Sequence, residues 1–244
     1  MPAEGENIPD ALLRKLDRGK PSTVRTRELF AGRTIVVFAL PGAFTPTCSS
    51  QHLPQYEEHV PDLRAAGVDE VVCISVNDPF VMAEWGAQQQ VREVQLLSDG
   101  NGEFSDAMGM LIDGRDKGMG RRSRRYSMLV RDGRIEKIFA EAEEPGDPFS
   151  VSDAATMLKY LAPDQAPPPR IAVLSKPGCP YCAEARRMLD EHGLRYTDLP
   201  LPDASRSRIL GAVAGSDTAP QVFADGRLIG GSEQLSAWLE QRRH

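Results

Sequence analysis

The sequence predicts an α/β protein built as two domains. Both halves alternate short apolar, strand-like runs with helical stretches, the pattern of helices packed on a sheet. A proline-rich run, APDQAPPPR from Ala162 to Arg170, divides them. The chain has 244 residues, more than the roughly 100–150 of one typical domain. The reading places a first domain at 1–161, a Pro-rich linker at 162–169 and a second domain at 170–244.

In the first domain, TIVVFAL (Thr34–Leu40) and EVVCISV (Glu70–Val76) are continuous apolar runs rich in β-branched residues. Such runs suit strands buried on both faces. Between them LPQYEEHVPDLRAAG reads as helical, and Pro61 is expected to kink or break it. PFVMAEWGAQQQ (Pro79–Gln90) is a second helix with proline at an early position, where a missing N–H costs nothing. RYSMLV, Asp132-Gly133 and RIEKIFA form a hairpin signal. Val151–Leu161 is an amphipathic helix with Ser152 or Asp153 as its cap. Three consecutive prolines then favour an extended, semi-rigid spacer. The second domain opens on the strand Ile171–Ser175 and a helix over Cys182–His192. A strand at Leu194–Asp198, another helix, the hairpin QVFADGRLIG and the helix SEQLSAWLEQRR complete it.

Composition narrows the function. A formal net charge of -6 argues against general affinity for nucleic acid or anionic lipid. The basic cluster RRSRR (Arg121–Arg125) has the look of a nucleic-acid patch, but it is short and lies in an acidic chain. No apolar run approaches the ~20 residues of a membrane span. The N-terminus reads as neither secretory signal nor transit peptide, so the expected compartment is the cytosol. Four cysteines in a cytosolic chain are not expected to form a static disulfide framework.

Cys48 ends the stretch Pro41-Gly-Ala-Phe-Thr-Pro-Thr-Cys, between a buried strand and a helix. At a helix start, unpaired N–H groups and the helix dipole favour thiolate, the form that attacks a peroxide O–O bond. Thr45 stands where its hydroxyl reaches the sulfur, and Pro41 where it shields the sulfur from water. The competing reading is a small apolar cysteine in a loop. PGAFTPTC carries the P-x-x-x-T-x-x-C pattern, and FALPGAFTPTCSSQHLP resembles the peroxiredoxin 5 class, a likeness extending over about residues 1–160. The resemblance implies a thioredoxin-like fold, Cys48 as peroxidatic cysteine, and Thr45 and Pro41 as its support. It also implies an arginine beside the thiolate; RRYSMLV matches that family's segment and makes Arg125 the candidate. Arg121, Arg122 and Arg124 are read as solvated loop residues. Cys73, inside an apolar strand, is read as a packing residue. The segment EEPGDPFSVSDAA, where some relatives carry a resolving cysteine, has none, so an outside thiol is expected.

KPGCPYC (Lys176–Cys182) lies between a strand and a helix. Cys179 gains the helix N-terminus and the charge of Lys176, and is expected to be the exposed cysteine, with Cys182 deeper. A C-x-x-C pair is also half of a zinc site, but four ligands are needed and no second pair follows. No metal is expected. With Thr218-Ala219-Pro220 and Gly230-Gly231-Ser232-Glu233 downstream, residues 170–244 resemble a dithiol glutaredoxin. The resemblance implies a cis Pro220, glutathione backbone contacts at Ala219, and the γ-glutamyl group at Gly231, Ser232 and Glu233. Lys176 would pair with the glycine carboxylate, Tyr181 would pack beside the tripeptide, and Thr218 belongs to the same site.

The expected activity is a glutathione-dependent thiol peroxidase acting on hydrogen peroxide and alkyl hydroperoxides, in antioxidant defence. The fusion itself resembles bacterial peroxiredoxin 5–glutaredoxin hybrids. Glutathione is expected as co-substrate, with no bound cofactor, and a homo-oligomer, dimer or tetramer, is expected. Two rivals are disfavoured by the P-x-x-x-T-x-x-C pattern together with Arg125. One is a disulfide reductase with a docking module; the other is a redox sensor that does not turn over.

Overall fold

The computed structural model describes residues 3–142, 146–164 and 168–242. Residues 165–167 of the expected linker, residues 143–145 of the EEPGDPFS stretch and residue 243 of the expected last helix lie outside them. The chain divides into two compact units, Met1–Pro167 and Pro168–His244.

The first unit is built on a seven-stranded sheet. Its strands are β1 (Leu12–Asp17), β2 (Lys20–Arg25), β3 (Thr34–Leu40), β4 (Glu70–Ser75), β5 (Gln95–Ser98), β8 (Tyr126–Arg131) and β9 (Arg134–Ala140), in spatial order β2-β1-β5-β4-β3-β8-β9. A small separate ribbon pairs β6 (Leu111–Asp113) with β7 (Arg121–Ser123). β3, β4 and β5 run parallel, and the outer strands join antiparallel. The central strands are apolar throughout because both faces are covered. Val36, Phe38 and Leu40 pack in one core with Leu53, Tyr56, Trp85 and Met157, while Ile35, Val37 and Ala39 pack in the other with Phe30, Phe104 and Met128. The helices are α1 (Thr26–Phe30), α2 (Leu53–Ala65), α3 (Pro79–Gln88), α4 (Glu103–Ala107) and α5 (Ala154–Leu161). Asp78 caps α3 through Phe80 and Val81 N–H, and Asp153 caps α5 through Thr156 N–H.

The hairpin β8–β9 turns at Asp132 and Gly133, with φ of 45° and 72°. Two consecutive left-handed residues are what a tight two-residue hairpin requires. Before Thr34 the sequence pattern yields no element, yet β1 and β2 form a hairpin there. Their residues are mostly polar and only Leu13 is fully buried, so alternation is weak.

Of the kink or break expected at Pro61, the break does not occur: α2 continues through it. The helix passes through it because Tyr56, Val60 and Leu63 anchor the same helix in the core on both sides. Burial of several large side chains outweighs one missing hydrogen bond.

The second unit holds a four-stranded sheet of β10 (Ile171–Ser175), β11 (Tyr196–Pro200), β12 (Gln221–Ala224) and β13 (Arg227–Gly230), in order β11-β10-β12-β13. β10 and β11 are parallel; β12 and β13 are antiparallel additions. Helices α6 (Pro180–Glu191), α7 (Arg206–Ala214) and α8 (Ser232–Gln241) complete it. Ala185 and Leu189 of α6 and Leu235 and Leu239 of α8 share one core with Val173 and Val222. Each unit has a thioredoxin-like arrangement, a central sheet with a strand leading directly into a cysteine-bearing helix start.

Pro61→Ala restores an N–H for the Glu57 carbonyl. It is expected to stabilise the first unit by about 2–2.5 kcal/mol, the ~3 kcal/mol cost of an interior proline less the stiffness it lends the unfolded chain. Urea unfolding followed by Trp85 fluorescence in a Trp238→Phe background measures it. An unchanged midpoint would mean that the helix relaxes at no cost around Pro61.

Candidate active sites

Cys48 is positioned by a loop pinned at several points. The Ala43 N–H donates to Asn77 Oδ1 at 3.0 Å, and the Thr45 hydroxyl donates to the Gly42 carbonyl at 2.9 Å. Helical backbone begins at Pro46, and Cys48 opens a wide π-type turn, Cys48–His52, that runs into α2. The Leu53 N–H closes that turn on the Cys48 carbonyl. Such widened turns occur mostly at functional positions. Cys48 is fully buried and belongs to the same core as Phe38, Tyr56 and Trp85.

Arg125, just before β8, is buried to 4 % exposure. Its Nη1 reaches Cys48 Sγ at 3.5 Å and His52 Nδ1 at 3.2 Å, and its Nη2 reaches Asp147 Oδ1 at 2.5 Å. His52 Nε2 faces the Ser152 carbonyl at 3.2 Å. A carbonyl only accepts, so Nε2 carries the proton and Nδ1 is free to accept from Arg125. Burial, then the Arg125 charge, lower the His52 pKa to about 3. The ring is therefore neutral, and the positive charge at the sulfur belongs to Arg125.

The Ser152 carbonyl also accepts from the Tyr56 hydroxyl at 3.0 Å. Its position is set by Glu141. That buried carboxylate accepts from the N–H groups of Ser150, Val151 and Ser152 and from both serine hydroxyls, at 2.7–3.0 Å. Burial alone would raise the Glu141 pKa, but the hydrogen bonds from Ser152, Val151 and Ser150 win and hold it at about 2. A cavity of about 570 Å³ opens beside the cluster, with Pro41, Thr45, Arg122, Arg125 and Asp147 in its wall.

In the second unit Cys179 is the N-cap of α6, and its sulfur accepts from the Cys182 N–H at 3.2 Å. The Ala219–Pro220 peptide is cis, and the Cys179 thiol lies 3.5 Å from the Ala219 carbonyl. Burial opposes ionisation of Cys179, but hydrogen bonds from the Cys182 thiol and from the Cys182 and Tyr181 N–H groups, with the charge of Lys176, hold its pKa below the ordinary thiol value. Cys182 moves the other way, raised by burial and by its hydrogen bond to Cys179. Tyr181 stands 65 % exposed beside them. Thr218 accepts from the Gln221 side chain through its carbonyl at 2.9 Å. Gly230, at φ 123°, makes the turn into α8, where a Cβ would meet the Gln234 side chain at 3.0 Å. Ser232 opens that helix and Glu233 follows in its first turn.

Residues 3–158 match the Redoxin family and residues 171–229 the Glutaredoxin family. The chain is 48% identical to hybrid peroxiredoxin hyPrx5 of Haemophilus influenzae, over 97% of this chain and 98% of that one. The chain belongs to the hybrid peroxiredoxin–glutaredoxin family. Its peroxiredoxin part is 55% identical to peroxiredoxin sll1621 of Synechocystis, over 58% of this chain and 77% of that one. The crystal structure of reduced Prx3 in complex with H2O2 from Vibrio vulnificus superposes with a TM-score of 0.63 and 42% identity, covering 66% of this chain and 99% of that one.

The peroxiredoxin domain brings Cys48 and Arg125 together and leaves Thr45 and Pro41 in the cavity wall. Cys73 is buried in β4, its pKa raised well above the ordinary thiol value by burial and then by Cys48. Arg122 and Arg124 are not solvated loop residues. Arg122 lies in β7 and donates to the Met119 and Val76 carbonyls at 2.7 and 2.6 Å; Arg124 donates to the Glu141 carbonyl at 3.0 Å. The carbonyls they reach lie up to 46 residues away, so a local reading of RRSRR had no sight of them. His52, Glu141, Asp147 and Ser152 were also missed, because single polar residues carry no periodic signal.

In the glutaredoxin domain Cys179 is itself only 5 % exposed and Cys182 is fully buried. Exposure therefore separates the two less than expected; hydrogen bonding separates them. The Gly231 N–H is engaged by Gln234 Oε1 at 3.0 Å, so a ligand at this turn would compete with that side chain. Among the described residues no cluster of three or more His, Cys, Asp or Glu is arranged to hold a metal ion. No helix there is long and apolar enough to cross a membrane.

Glu141 has a folded-state pKa below its unfolded value, so its stabilisation is complete above about pH 4.5 and is lost as pH falls through about 2. Glu141→Gln turns an amide NH2 toward donors and is expected to destabilise the peroxiredoxin domain by about 1–3 kcal/mol at neutral pH. It should also flatten the acid limb of the stability profile. Urea unfolding at a series of pH values checks both, and an unaltered acid limb would contradict the assignment.

Proposed function

We propose that the thiol peroxidase reaction of this hybrid runs through Cys48 and is recycled by glutathione through Cys179. The observation that carries the reading is the buried Arg125 guanidinium 3.5 Å from a cysteine at a helix start. The fixed Arg125 cation lies beside the sulfur, where it stabilises negative charge as that charge moves from sulfur to the departing oxygen. The thiolate attacks the terminal peroxide oxygen, the O–O bond breaks, and the alkoxide or hydroxide takes a proton. Cys48 is then a sulfenic acid. Pro41 and Thr45 line the approach, and Arg125 polarises the peroxide.

Glutathione condenses with the sulfenic acid, giving a Cys48–glutathione disulfide and water. The Cys179 thiolate attacks the glutathionyl sulfur, freeing Cys48, and a second glutathione releases oxidised glutathione from Cys179. Two electrons from two glutathiones thus reduce one hydroperoxide to an alcohol and water. Support for Cys179 as the attacking thiol is its depressed pKa beside a raised Cys182. Cys182 protects or resolves the Cys179 adduct. Glutathione would lie along Ala219 and Pro220, its γ-glutamyl carboxylate at the start of α8 near Gly231, Ser232 and Glu233. Lys176 would meet its glycine carboxylate, with Tyr181 and Thr218 beside it. Hydrogen peroxide and alkyl hydroperoxides are the proposed oxidants, in a cytoplasmic homo-oligomer that resides with no bound cofactor.

Peroxide consumption with glutathione, glutathione reductase and NADPH as the electron supply tests the reading. Cys48→Ser is expected to abolish turnover. Cys179→Ser should stop glutathione-driven cycling while leaving one round of Cys48 oxidation, and Cys182→Ser should keep substantial activity. Turnover retained by Cys48→Ser would overturn the assignment; equal, complete loss in both glutaredoxin variants would make the dithiol route obligatory.

A further inference from the structure

The guanidinium of Arg125 is shared between two unlike neighbourhoods. Its Nη1 edge faces inward, to Cys48 Sγ at 3.5 Å and His52 Nδ1 at 3.2 Å. Its Nη2 edge meets Asp147 Oδ1 at 2.5 Å. The Asp147 side chain is 42% exposed against 2% for that of Arg125, and it stands in the cavity wall with Pro41 and Thr45. Thr47, next to the cysteine, also hydrogen-bonds the Asp147 carboxyl. Asp147 therefore meets Arg125 on the cavity side, next to the loop that carries Cys48.

Burial alone would raise the Asp147 pKa, but hydrogen bonds from Arg125 and Thr47, and the charges of Arg125 and Lys117, hold it below the ordinary carboxylate value. It is an anion at neutral pH. Of the three other acids of the cavity wall, Glu141 is engaged by the 150–152 segment and Asp113 by Arg115, while Asp116 lies between Arg115 and Lys117 in an exposed helical turn. Among the described residues, Asp147 is the carboxylate paired with Arg125. The cations of the wall, Lys117, Arg122 and Arg124, would by themselves invite an anionic substrate.

We propose that Asp147 is a specificity-determining residue of the Cys48 site, steadying Arg125 from the cavity side and disfavouring hydroperoxides that carry a negative charge. The inference rests on the reading of Cys48 as the peroxidatic cysteine. A neutral hydroperoxide approaches without a second anion. One bearing a carboxylate brings that anion to a cation already paired, and either meets the repulsion of Asp147 or displaces it from Nη2. The bond changes are the same in both cases, so the difference lies in the approach and not in the O–O cleavage.

The test is single-turnover oxidation of Cys48 in the full chain by two hydroperoxides of similar size, one neutral and one bearing a carboxylate. The readout is the ratio of their second-order rate constants, which a purely structural role would not move. Asp147→Asn keeps an oxygen for Nη2 and removes the charge. It is expected to raise the ratio in favour of the charged hydroperoxide by about three- to tenfold, the size of one partly exposed charge acting at close range. Added salt should shrink the gap between wild type and variant. An unchanged ratio, with both rates shifted equally, would overturn the proposal. Should Asp147→Asn fail to fold, Asp147→Ser makes the same measurement. Failure of the wild-type Cys48 to react with the neutral hydroperoxide would instead sink the peroxidatic reading, and the role of Asp147 with it.

Discussion

A positive charge buried beside a cysteine sulfur is the constraint around which the peroxiredoxin domain is arranged. An unpaired guanidinium in a low-dielectric interior is costly, so Arg125 draws acceptors to both of its Nη groups, while its buried Nε has no partner among the described residues. His52 supplies a neutral ring nitrogen, Asp147 a carboxylate and Cys48 a sulfur. Each acceptor needs its own fixation. His52 is held by the Ser152 carbonyl, and Ser152 by the Glu141 carboxylate. The Glu141 N–H in turn donates to the Arg125 carbonyl at 3.1 Å, so the network closes on the residue it serves.

That closure bears on function through preorganisation. With Cys48 as the proposed peroxidatic cysteine, donors fixed before the peroxide arrives would need no reorganisation as charge moves from sulfur to the leaving oxygen. The neutral tautomer of His52 matters for the same reason: a protonated ring would face Arg125 with a like charge and push it off the sulfur. Its aromatic neighbours, Phe38, Tyr56 and Phe149, with ring centroids 4.9–5.6 Å away, keep it dry and deny it the solvation a charged ring needs.

The two domains solve one problem with different local geometry. Both carry a cysteine where a strand gives way to a helix. Cys48 opens a π-type turn and leans on a distant arginine. Cys179 is the cap itself and leans on its neighbour three residues on. The first arrangement depends on tertiary packing, and the second is nearly self-contained. This is why a short C-x-x-C motif announces its chemistry more fully than a lone cysteine does.

The sequence by itself determined the α/β alternation, the strands at Thr34–Leu40 and Ile171–Ser175, the Asp132-Gly133 turn and the pairing of Cys48 with Arg125 as candidates. These are local signals: periodicity, turn chemistry and short motifs act over a few residues, and the family resemblance rests on such strings. It misjudged Arg122 and Arg124, and it allowed a break at Pro61 that does not occur; these outcomes depend on partners distant in the chain. Only the tertiary structure decided that His52 is neutral, that Glu141 clamps a loop ten residues on, and that Asp147 pairs with Arg125. Those outcomes follow from burial and from hydrogen bonds spanning up to 100 residues. A polar residue read alone carries no mark of which cation or carbonyl the fold will bring to it.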